Sequence, residues 1–351
     1  MLIIGCDLHT RYQEIAMLDT ATGEVVTRRL EHETGEARAF YAQLGERARV
    51  GIEATGCTAW FERLLAELGH ELWVGDPAEI RARAVRRQKT DRRDAEHLLG
   101  LLLTNRFPRI WIPSPEERDF RQLLKHRQKL VGMRTSVKNQ LHYLAMSQGV
   151  CRQRKLWSAR GRRELEGLPL GPWASRRRQE LLELLDRLEP RIEELDAAVQ
   201  AEAERRAEAV RLMQQKGVGP VTALAFVLTL GPVERFANSR KVVSYLGLNP
   251  SEHSSGGRQR LGHISKQGNA LVRWLLVEAG QSAAQFDPEL RRKYQRLKFR
   301  RGAKVAKVAL ARQLAVRLYW TLRQAREEAP PVRMPGSPAQ TLVDEASPSF
   351  L

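Results

Sequence analysis

Strand-like and helix-like hydrophobic patterns alternate over the N-terminal part of the chain. The strand-like stretches are short, apolar and bounded by turn residues, as in buried or half-buried strands. They cover residues 1–9, 13–19, 24–31, 49–56 and the segment before Pro77. Helical patterns separate the later strands, at 34–48, with Thr34 as the expected cap, and at 58–68. Strands that alternate with helices after an initial hairpin predict an α/β domain with a mixed sheet.

The central part of the chain carries two long helical patterns with heptad spacing. A proline-broken segment, 107–115, precedes the first of them. In that first pattern the apolar positions recur every seven residues, at Leu123, Leu130, Val137 and Leu144. In the second they alternate at spacings of four and three, at Leu181, Leu185, Leu188, Ile192, Leu195 and Val199. These patterns predict long amphipathic helices that pair either within one chain or between two chains as a coiled coil.

The C-terminal part reads as a compact helical domain from residue 210 onward. GVGP at 217–220 lies between two helical patterns, which is the helix-hairpin-helix arrangement, and the N–H groups around Gly217 and Gly219 would receive a phosphate. Helical patterns return at 271–284 and 304–323, and a proline-rich tail from Glu327 is expected to be disordered. The predicted domains are 1–108, 109–209, 210–326 and the tail 327–351.

The strongly positive net charge of the chain indicates which kinds of partner it binds. The chain has 351 residues, a formal net charge of +18 and a pI of about 10.4, and the basic excess recurs in several separate patches. Distributed basic patches on a folded protein indicate a polyanion, with nucleic acid first and a membrane surface second. We expect no membrane association, because no apolar run has the length of a bilayer span. The three scattered cysteines favour a cytoplasmic protein, bacterial or archaeal, with reduced thiols.

Four acids are candidates for chemistry. Asp7 and Glu53 end apolar strands, where an uncompensated carboxylate is costly, while Asp91 and Asp94 are three apart and would share a helix face. Oxygen ligands of this kind suit Mg²⁺, with Mn²⁺ as a substitute, and the site would face phosphate. The structural alternative is a solvated helix start, with Asp91 as the cap and Asp94 in a surface ion pair.

Basic residues accompany these acids and recur in the C-terminal domain. Such residues would contact nucleic-acid backbone. They are Arg86, Arg87, Lys89, Arg92 and Arg93 beside the acid pair, Arg258, Arg260, Lys266 and Arg273 in and after the loop 251–269, and Lys304 and Lys307 further on.

The loop 251–269 is rich in Ser and Gly and is followed by a helical pattern. No acid occurs from His253 through Val277, a stretch that covers most of the loop and the start of that helical pattern. The positive field of this stretch would favour a serine alkoxide and the negative charge that develops during attack on phosphorus. His253 and His263 are candidate general bases, and a metal-bound hydroxide is a third candidate. The structural alternative is a basic phosphate-binding loop whose serines only donate hydrogen bonds.

The order of strand acid, hairpin, strand acid and helical acid pair resembles the ribonuclease-H-like nucleases of the RuvC type. More specifically, the chain resembles the DEDD transposases of insertion-sequence family one-hundred-ten, which include the Piv- and MooV-like DNA recombinases. The motifs that carry this resemblance span nearly the whole chain. They are GCDLH at 5–9, IEATG at 52–56, KTDRRDAEHL at 89–98, GVGPVTA at 217–223, YLGLNP at 245–250 and HSSGGRQRLGHISKQGNALVRWLL at 253–276.

The resemblance implies a RuvC-like domain, a helical coiled-coil dimerisation region and an all-α transposase domain. It implies a Mg²⁺-dependent transposase or site-specific recombinase that holds its metal through Asp7, Glu53, Asp91 and Asp94. Ser255 would form a covalent serine phosphodiester with DNA, with Ser254 as the neighbouring alternative. The implied partners are donor and target DNA, a structured bridge RNA as guide, and further copies of the chain in a dimer or tetramer.

Three other interpretations compete with this one. The first is a RuvC-like, structure-specific DNA endonuclease without a serine nucleophile. The second is a phosphotransferase, because GCDLHT also resembles a phosphate loop, although no second nucleotide loop follows at the expected place. The third is a nucleic-acid-binding protein without catalytic activity.

Overall fold

The computed structural model describes residues 1–56, 58–84, 90–151, 155–252 and 260–328. The chain divides into two compact units, one of residues Met1–Ile112 and one that begins at Pro113. Within the described residues, no helix is both long and apolar enough to span a bilayer.

The first unit is built on a five-stranded mixed sheet. The strands are β1 (Leu2–Leu8), β2 (Tyr12–Asp19), β3 (Val25–Glu31), β4 (Ala48–Glu53) and β5 (Glu71–Gly75). They lie in the order β3-β2-β1-β4-β5. β2 is antiparallel to both β1 and β3, while β4 is parallel to both β1 and β5. The predicted hairpin and mixed α/β sheet are therefore confirmed.

The described residues of this unit form four helices: α1 (Glu36–Ala42), α2 (Ala59–Glu67), α3 (Pro77–Ala82) and α4 (Asp91–Leu103). The prediction for the first helix, 34–48 with Thr34 as cap, was wrong in length and in cap. Gly35 occupies the cap position with φ of 77°, and no side chain caps the helix. The helix is short because β4 already begins at Ala48, where main-chain pairing to β1 takes over.

The two faces of the sheet are covered differently. On one face the alternate residues of β1 and β4 form the main core with the side chains of α1 and α2, including Ile4, Cys6, Val50, Ile52, Tyr41, Phe61 and Leu65. On the other face Ile3 packs against apolar side chains of α4, including Leu98 and Leu99. Side chains alternate across a strand, so Asp7 and Glu53 belong to the face that α4 covers.

The second unit contains a long helical stalk. The stalk consists of α5 (Pro115–Ser147), the short α6 (Ala159–Glu166) and α7 (Pro172–Arg205). α5 begins with a capping box, in which Ser114 accepts from the Glu117 N–H and Glu117 accepts from the Ser114 N–H, and Pro115 follows at the first helical position. Its 33 residues span about 50 Å.

The heptad positions of α5 and α7 pack against each other within the chain. Two separate apolar clusters result. The tip cluster contains Val137, Leu141, Leu144, Leu156, Leu165, Leu181, Leu185, Leu188 and Ile192. At the other end Leu124, Val199 and Ala203 join a different cluster, the C-terminal core. The prediction of two long paired helices is confirmed for one chain, and a coiled coil between chains stays a prediction.

Among the described residues of this unit, six helices follow the stalk: α8 (Ala207–Met213), α9 (Pro220–Leu230), α10 (Ser239–Tyr245), α11 (Ala270–Phe286), α12 (Pro288–Arg301) and α13 (Ala303–Glu328). All of them except α12 contribute buried side chains to the C-terminal core. The predicted all-α character was wrong, because two short strands, β6 (Pro250–Glu252) and β7 (Leu261–Ile264), pair antiparallel within this part. Their main-chain pairs, Pro250 with Ile264 and Glu252 with Leu261, flank the Ser- and Gly-rich loop. The predicted disordered tail lies outside the described residues except for its first two residues, which are helical.

Candidate metal centre

Gly5 allows α4 to lie directly on the sheet. A Cβ atom at this position would lie 2.3 Å from the Ala95 carbonyl oxygen and 2.3 Å from the Leu99 nitrogen. Both are main-chain atoms of α4, so they cannot move aside as a side chain could. Gly51, the direct partner of Gly5 on the neighbouring strand, faces the same helix, where a Cβ would lie 2.8 Å from the Leu102 side chain. The two glycines therefore determine how closely α4 approaches Asp7.

Asp7 and Glu53 lie next to each other at the edge of the sheet. β1 and β4 are parallel, and Cys6 and Ile52 form their last pair. Asp7 and Glu53 each follow one residue later, at the carboxyl ends of neighbouring strands. This is the edge at which open α/β sheets place their ligands.

Asp91 and Asp94 occupy the first turn of α4. The cap is Thr90, whose Oγ1 accepts from the Arg93 N–H, and Asp91 is the first helical residue. The structural alternative in which Asp91 caps the helix is therefore wrong. Both carboxylates lie where the partial positive charge of a helix N-terminus favours anions.

One histidine joins two of these acids. One ligand atom from each of Asp7, His9 and Asp91 lies within 4.8 Å of the other two. His9 Nε2 is 3.1 Å from Asp7 Oδ2 and 3.5 Å from Asp91 Oδ2. The three side chains are half-buried, and they form a group that could hold a divalent cation.

The electrostatics of this group suit a cation. Burial is the largest of the effects that raise the pKa of Asp7, and the nearby charges of Asp94 and Asp91 raise it further. His9 opposes these effects through its charge and its hydrogen bond. A half-buried carboxylate that faces two others is destabilised while it is charged, and a divalent cation would relieve that cost. The residues present therefore fit such an ion.

Tyr12 supports Asp91 from the adjacent hairpin. Its hydroxyl donates to Asp91 Oδ2 over 2.8 Å, and this hydrogen bond is the largest cause of the raised pKa of Tyr12. The Arg29 guanidinium carbon lies 3.6 Å from the centre of the Tyr12 ring, and the His9 ring lies 4.7 Å from it. The ring is thus held between two groups while its hydroxyl orients the acid.

Sequence reasoning missed His9, Tyr12 and Arg29 as members of this group. One signal was present for His9, which follows Asp7 by two residues and so continues on the same face. The position of Tyr12 beside these acids depends on a tight turn, in which the His9 N–H donates to the Tyr12 carbonyl oxygen. The position of Arg29 depends on the register of β2 with β3, which places Arg29 opposite Glu14.

The other predicted residues have varied surroundings. Glu53 is half-buried and lies outside the group of three, and Asp94 acts on Asp7 through its charge. Arg92 pairs with Glu96, and Arg93 is exposed. Five of the predicted site residues lie outside the described part of the chain: Ser255, Arg86, Arg87, Lys89 and Arg258. The same is true of the alternative nucleophile Ser254 and the candidate base His253.

In the second unit, Gly217 and Gly219 lie in the turn between α8 and α9. Gly217 has φ of 84°, and a Cβ there would lie 2.5 Å from the Ala283 nitrogen, which gives this glycine a packing role. Arg273 donates to the carbonyl oxygens of Leu246 and Gln267, and burial lowers its pKa. The remaining predicted contacts, Arg260, Lys266 and Lys304, are exposed, and Lys307 is half-buried.

A mixed α/β unit with acids at its strand ends and on a following helix, joined to a mostly helical unit, is the arrangement of a DEDD transposase. Residues 4–146 match the DEDD family described as "Transposase", and residues 209–295 match the family described as "Transposase IS116/IS110/IS902 family". The chain belongs to this transposase family and is a DNA transposase of the IS110 type.

Two relatives illustrate the similarity. The chain is 31% identical over 333 residues to a Pseudomonas aeruginosa protein described as "Probable family 20 transposase", which covers 91% of this chain and 96% of the relative. It is 28% identical over 294 residues to the transposase for insertion sequence element IS1111A of Coxiella burnetii, covering 80% of this chain and 77% of the relative. Both matches extend over both units.

Proposed function

We propose that this transposase cleaves and rejoins DNA strands with Mg²⁺ held by Asp7, Glu53, Asp91 and Asp94, and with Ser255 as nucleophile. The observation that carries the proposal is the convergence of Asp7 and Asp91 on His9, with ligand atoms within 4.8 Å of one another. A strand end and a helix start thus supply acids to one point, although they are far apart in sequence.

Each residue of the metal centre has its own role. Asp7 and Asp91 supply the carboxylate oxygens, and Tyr12 holds Asp91 in place through its hydroxyl. His9 Nε2 lies within hydrogen-bond distance of Asp7, where it can hold a proton or become a ligand. A divalent cation bound there would stabilise the negative charge that develops on the phosphodiester oxygens.

The serine step would exchange one phosphodiester for another. The Ser255 hydroxyl loses its proton, the bond from Oγ to phosphorus forms, and the bond from phosphorus to the departing sugar oxygen breaks. That sugar oxygen then takes up a proton. Attack of a sugar hydroxyl on the phosphoserine would reverse the sequence and join strands without an external energy source. Ser254 is the alternative nucleophile, and His253 and His263 are candidate bases.

The partners of the reaction would be donor and target DNA, a structured guide RNA and further copies of the chain in a dimer or tetramer. The net charge of +18 supports polyanion binding. The stalk is the proposed contact for assembly, although its heptad positions already pack within one chain. In this proposal residues 1–108 form the nuclease domain, 109–209 the linker and dimerisation region, and 210–326 the transposase domain.

Covalent trapping tests the proposal. A DNA substrate labelled at the cleavage point should become attached to the wild-type protein in the presence of Mg²⁺. Asp7→Asn should abolish both cleavage and attachment while DNA binding persists, and Ser255→Ala should abolish attachment. Ser254→Ala decides between the two serines, and Glu24→Gln, at an exposed turn, is the control.

The competing function is a structure-specific endonuclease without a serine nucleophile. It predicts full cleavage by Ser255→Ala and Ser254→Ala, with no covalent product from the wild type. That result would exclude the serine step and leave the metal centre in place. Full activity of Asp7→Asn would exclude the metal centre itself.

A further inference from the structure

The helix α12 carries a dense run of positive charge. From Arg291 to Arg301 the helix has seven Lys or Arg and no acid. Nearly all of these cations are exposed. A helix of this composition repels itself unless an anion lies beside it.

The nearby acids are already engaged. Asp287 and Glu289, at the start of the helix, both bind Arg317 of α13, over 2.6 and 2.7 Å. Within the described part of the chain, none of the basic residues from Arg292 to Arg301 forms an ion pair. The charge of the C-terminal half of the helix is therefore free to act on a ligand.

An aromatic side chain protrudes from the same run. Phe299 is 94% exposed, with Lys298 and Arg300 on either side of it. The inner face of α12 is filled by Leu290 and Tyr294, so Phe299 is not needed for packing. Aromatic rings among cations are typical of surfaces that stack unpaired nucleobases.

A polar cleft of about 320 Å³ lies beside the same helix. Its walls carry the amides of Gln281, Gln285 and Gln295, and Ala284 and Leu310 contribute apolar surface. Arg291 and Tyr294 complete the lining, and no carboxylate of the described residues takes part. Amides both donate and accept hydrogen bonds, as the edge of a base requires, and apolar surface suits its flat face.

The cleft and the aromatic ring lie along one line of the helix. Arg291, Gln295 and Phe299 follow each other at intervals of four residues, so they share a face. We name these three residues the α12 strip. Gln295 lines the cleft, and Phe299 lies one turn further, about 6 Å along the axis.

We propose that the α12 strip binds an unpaired segment of a nucleic acid. One base enters the glutamine-lined cleft, the next stacks on Phe299, and the phosphates lie along Arg292, Arg296 and Lys298. The ligand is a single strand or a loop, because a base in an intact duplex offers no free face to the ring. This site uses residues other than those proposed for the metal centre and the serine step, and its test needs neither.

Binding of fluorescein-labelled strands to the full chain tests the proposal by anisotropy. The probes are a single-stranded DNA, a single-stranded RNA of the same sequence and the matching DNA duplex, all without Mg²⁺. Phe299→Ala should weaken binding of at least one single strand by roughly 5- to 150-fold and leave duplex binding within about twofold. The strand that depends on Phe299 identifies DNA or RNA as the source of the ligand.

Conservative variants separate stacking from general apolar contact. Phe299→Tyr should retain single-strand binding, while Phe299→Leu should lose it as Phe299→Ala does. Gln295→Ala should weaken the same strand. Tyr143→Ala, which removes a 65% exposed ring from α5, is the matched control and should change nothing.

Photocrosslinking locates the contact directly. A strand that contains 5-iodouracil should crosslink to the peptide that carries Phe299, and mass spectrometry identifies that peptide. The proposal is overturned if Phe299→Ala weakens duplex and single strands equally, or if Phe299→Leu binds like the wild type. It is also overturned if the variant lowers the oligomeric state in sedimentation while binding is unchanged, because the ring then belongs to a contact between copies.

Discussion

At the scale of single residues, Tyr12 is the most informative addition to the candidate metal centre. It contacts one carboxylate through its hydroxyl, and its ring is held by Arg29. A residue that orients a ligand changes the affinity for the metal more than it changes the fold.

Tyr12→Phe keeps the ring and removes only the hydrogen bond to Asp91. We expect the Mg²⁺ concentration for half-maximal DNA cleavage to rise about tenfold, because Asp91 loses its orienting donor. The measurement is cleavage rate against Mg²⁺ concentration, with Tyr143→Phe on exposed α5 as control. An unchanged Mg²⁺ requirement would mean that the hydroxyl does not act on the metal site.

Asp7 should make the metal-free protein sensitive to pH. Burial and neighbouring carboxylates raise its pKa in the folded state, so folding favours the protonated form. Protonated Asp7 contributes fully to stability below the pKa that it has in the unfolded state. This contribution is lost as the pH rises through the higher pKa that Asp7 has in the folded state. Ionised Asp7 therefore destabilises the fold at pH 7.

Asp7→Asn removes this cost. The thermal midpoint of the metal-free protein at pH 7 should rise by about 1–3 °C relative to wild type, and the difference should vanish below about pH 4. Glu24→Gln serves as control. Millimolar Mg²⁺ should stabilise the wild type more than the variant. A midpoint that falls at pH 7 would show that Asp7 is not under electrostatic strain.

The acids of the site could be predicted from sequence because strand ends and helix spacing are local patterns. Asp7 followed an apolar strand, and Asp91 and Asp94 shared a face. Arg29 could not be predicted in this way, because its contact with Tyr12 depends on strand register. The roles of all four acids, Asp7, Glu53, Asp91 and Asp94, and of Ser255 stay predictions.

At the scale of elements, the contact between α4 and β1 is the one on which the site depends. It is a contact of main chain with main chain at Gly5. The helix start carries Asp91, and the strand end carries Asp7, so any change in their separation would alter the candidate metal centre.

Gly5→Ala should therefore be costly. Its Cβ would overlap main-chain atoms of Ala95 and Leu99, and we expect the free energy of unfolding to fall by about 1–3 kcal/mol. Urea unfolding measures the change. Gly45→Ala is a matched control in the same unit, because no atom lies within 4 Å of a Cβ there. Equal stability of the two variants would contradict the close approach.

Secondary structure was predictable where the pattern was long or strongly periodic. The sheet strands and the two long helices belong to this class. The start of α1 was missed because Gly35 adopts a left-handed conformation that a capping motif does not reveal. The strands β6 and β7 were missed because their pairing joins segments of low hydrophobicity on either side of a loop.

At the scale of the whole molecule, charge governs nucleic-acid binding. The logarithm of the affinity should fall with the logarithm of salt concentration, with a slope of roughly −0.7 to −0.9 for each phosphate contact. Arg296→Gln removes an exposed cation and should reduce the slope by about one contact. Arg176→Gln is the control, because Arg176 is already paired with Glu180 over 2.9 Å. Equal slopes for both variants would exclude α12 from the binding surface.

The tip of the stalk is expected to unfold independently of the C-terminal core. The tip cluster and the C-terminal core share α5 and α7 but no side chains. Pro190 lies in the tip part of α7, between Leu188 and Ile192, and it has no N–H to donate to the preceding turn. The tip can therefore unfold while the core stays intact. In native-state hydrogen exchange, amides of α6 should lose protection at lower denaturant than those of α9, and loss of both together would show a single cooperative unit.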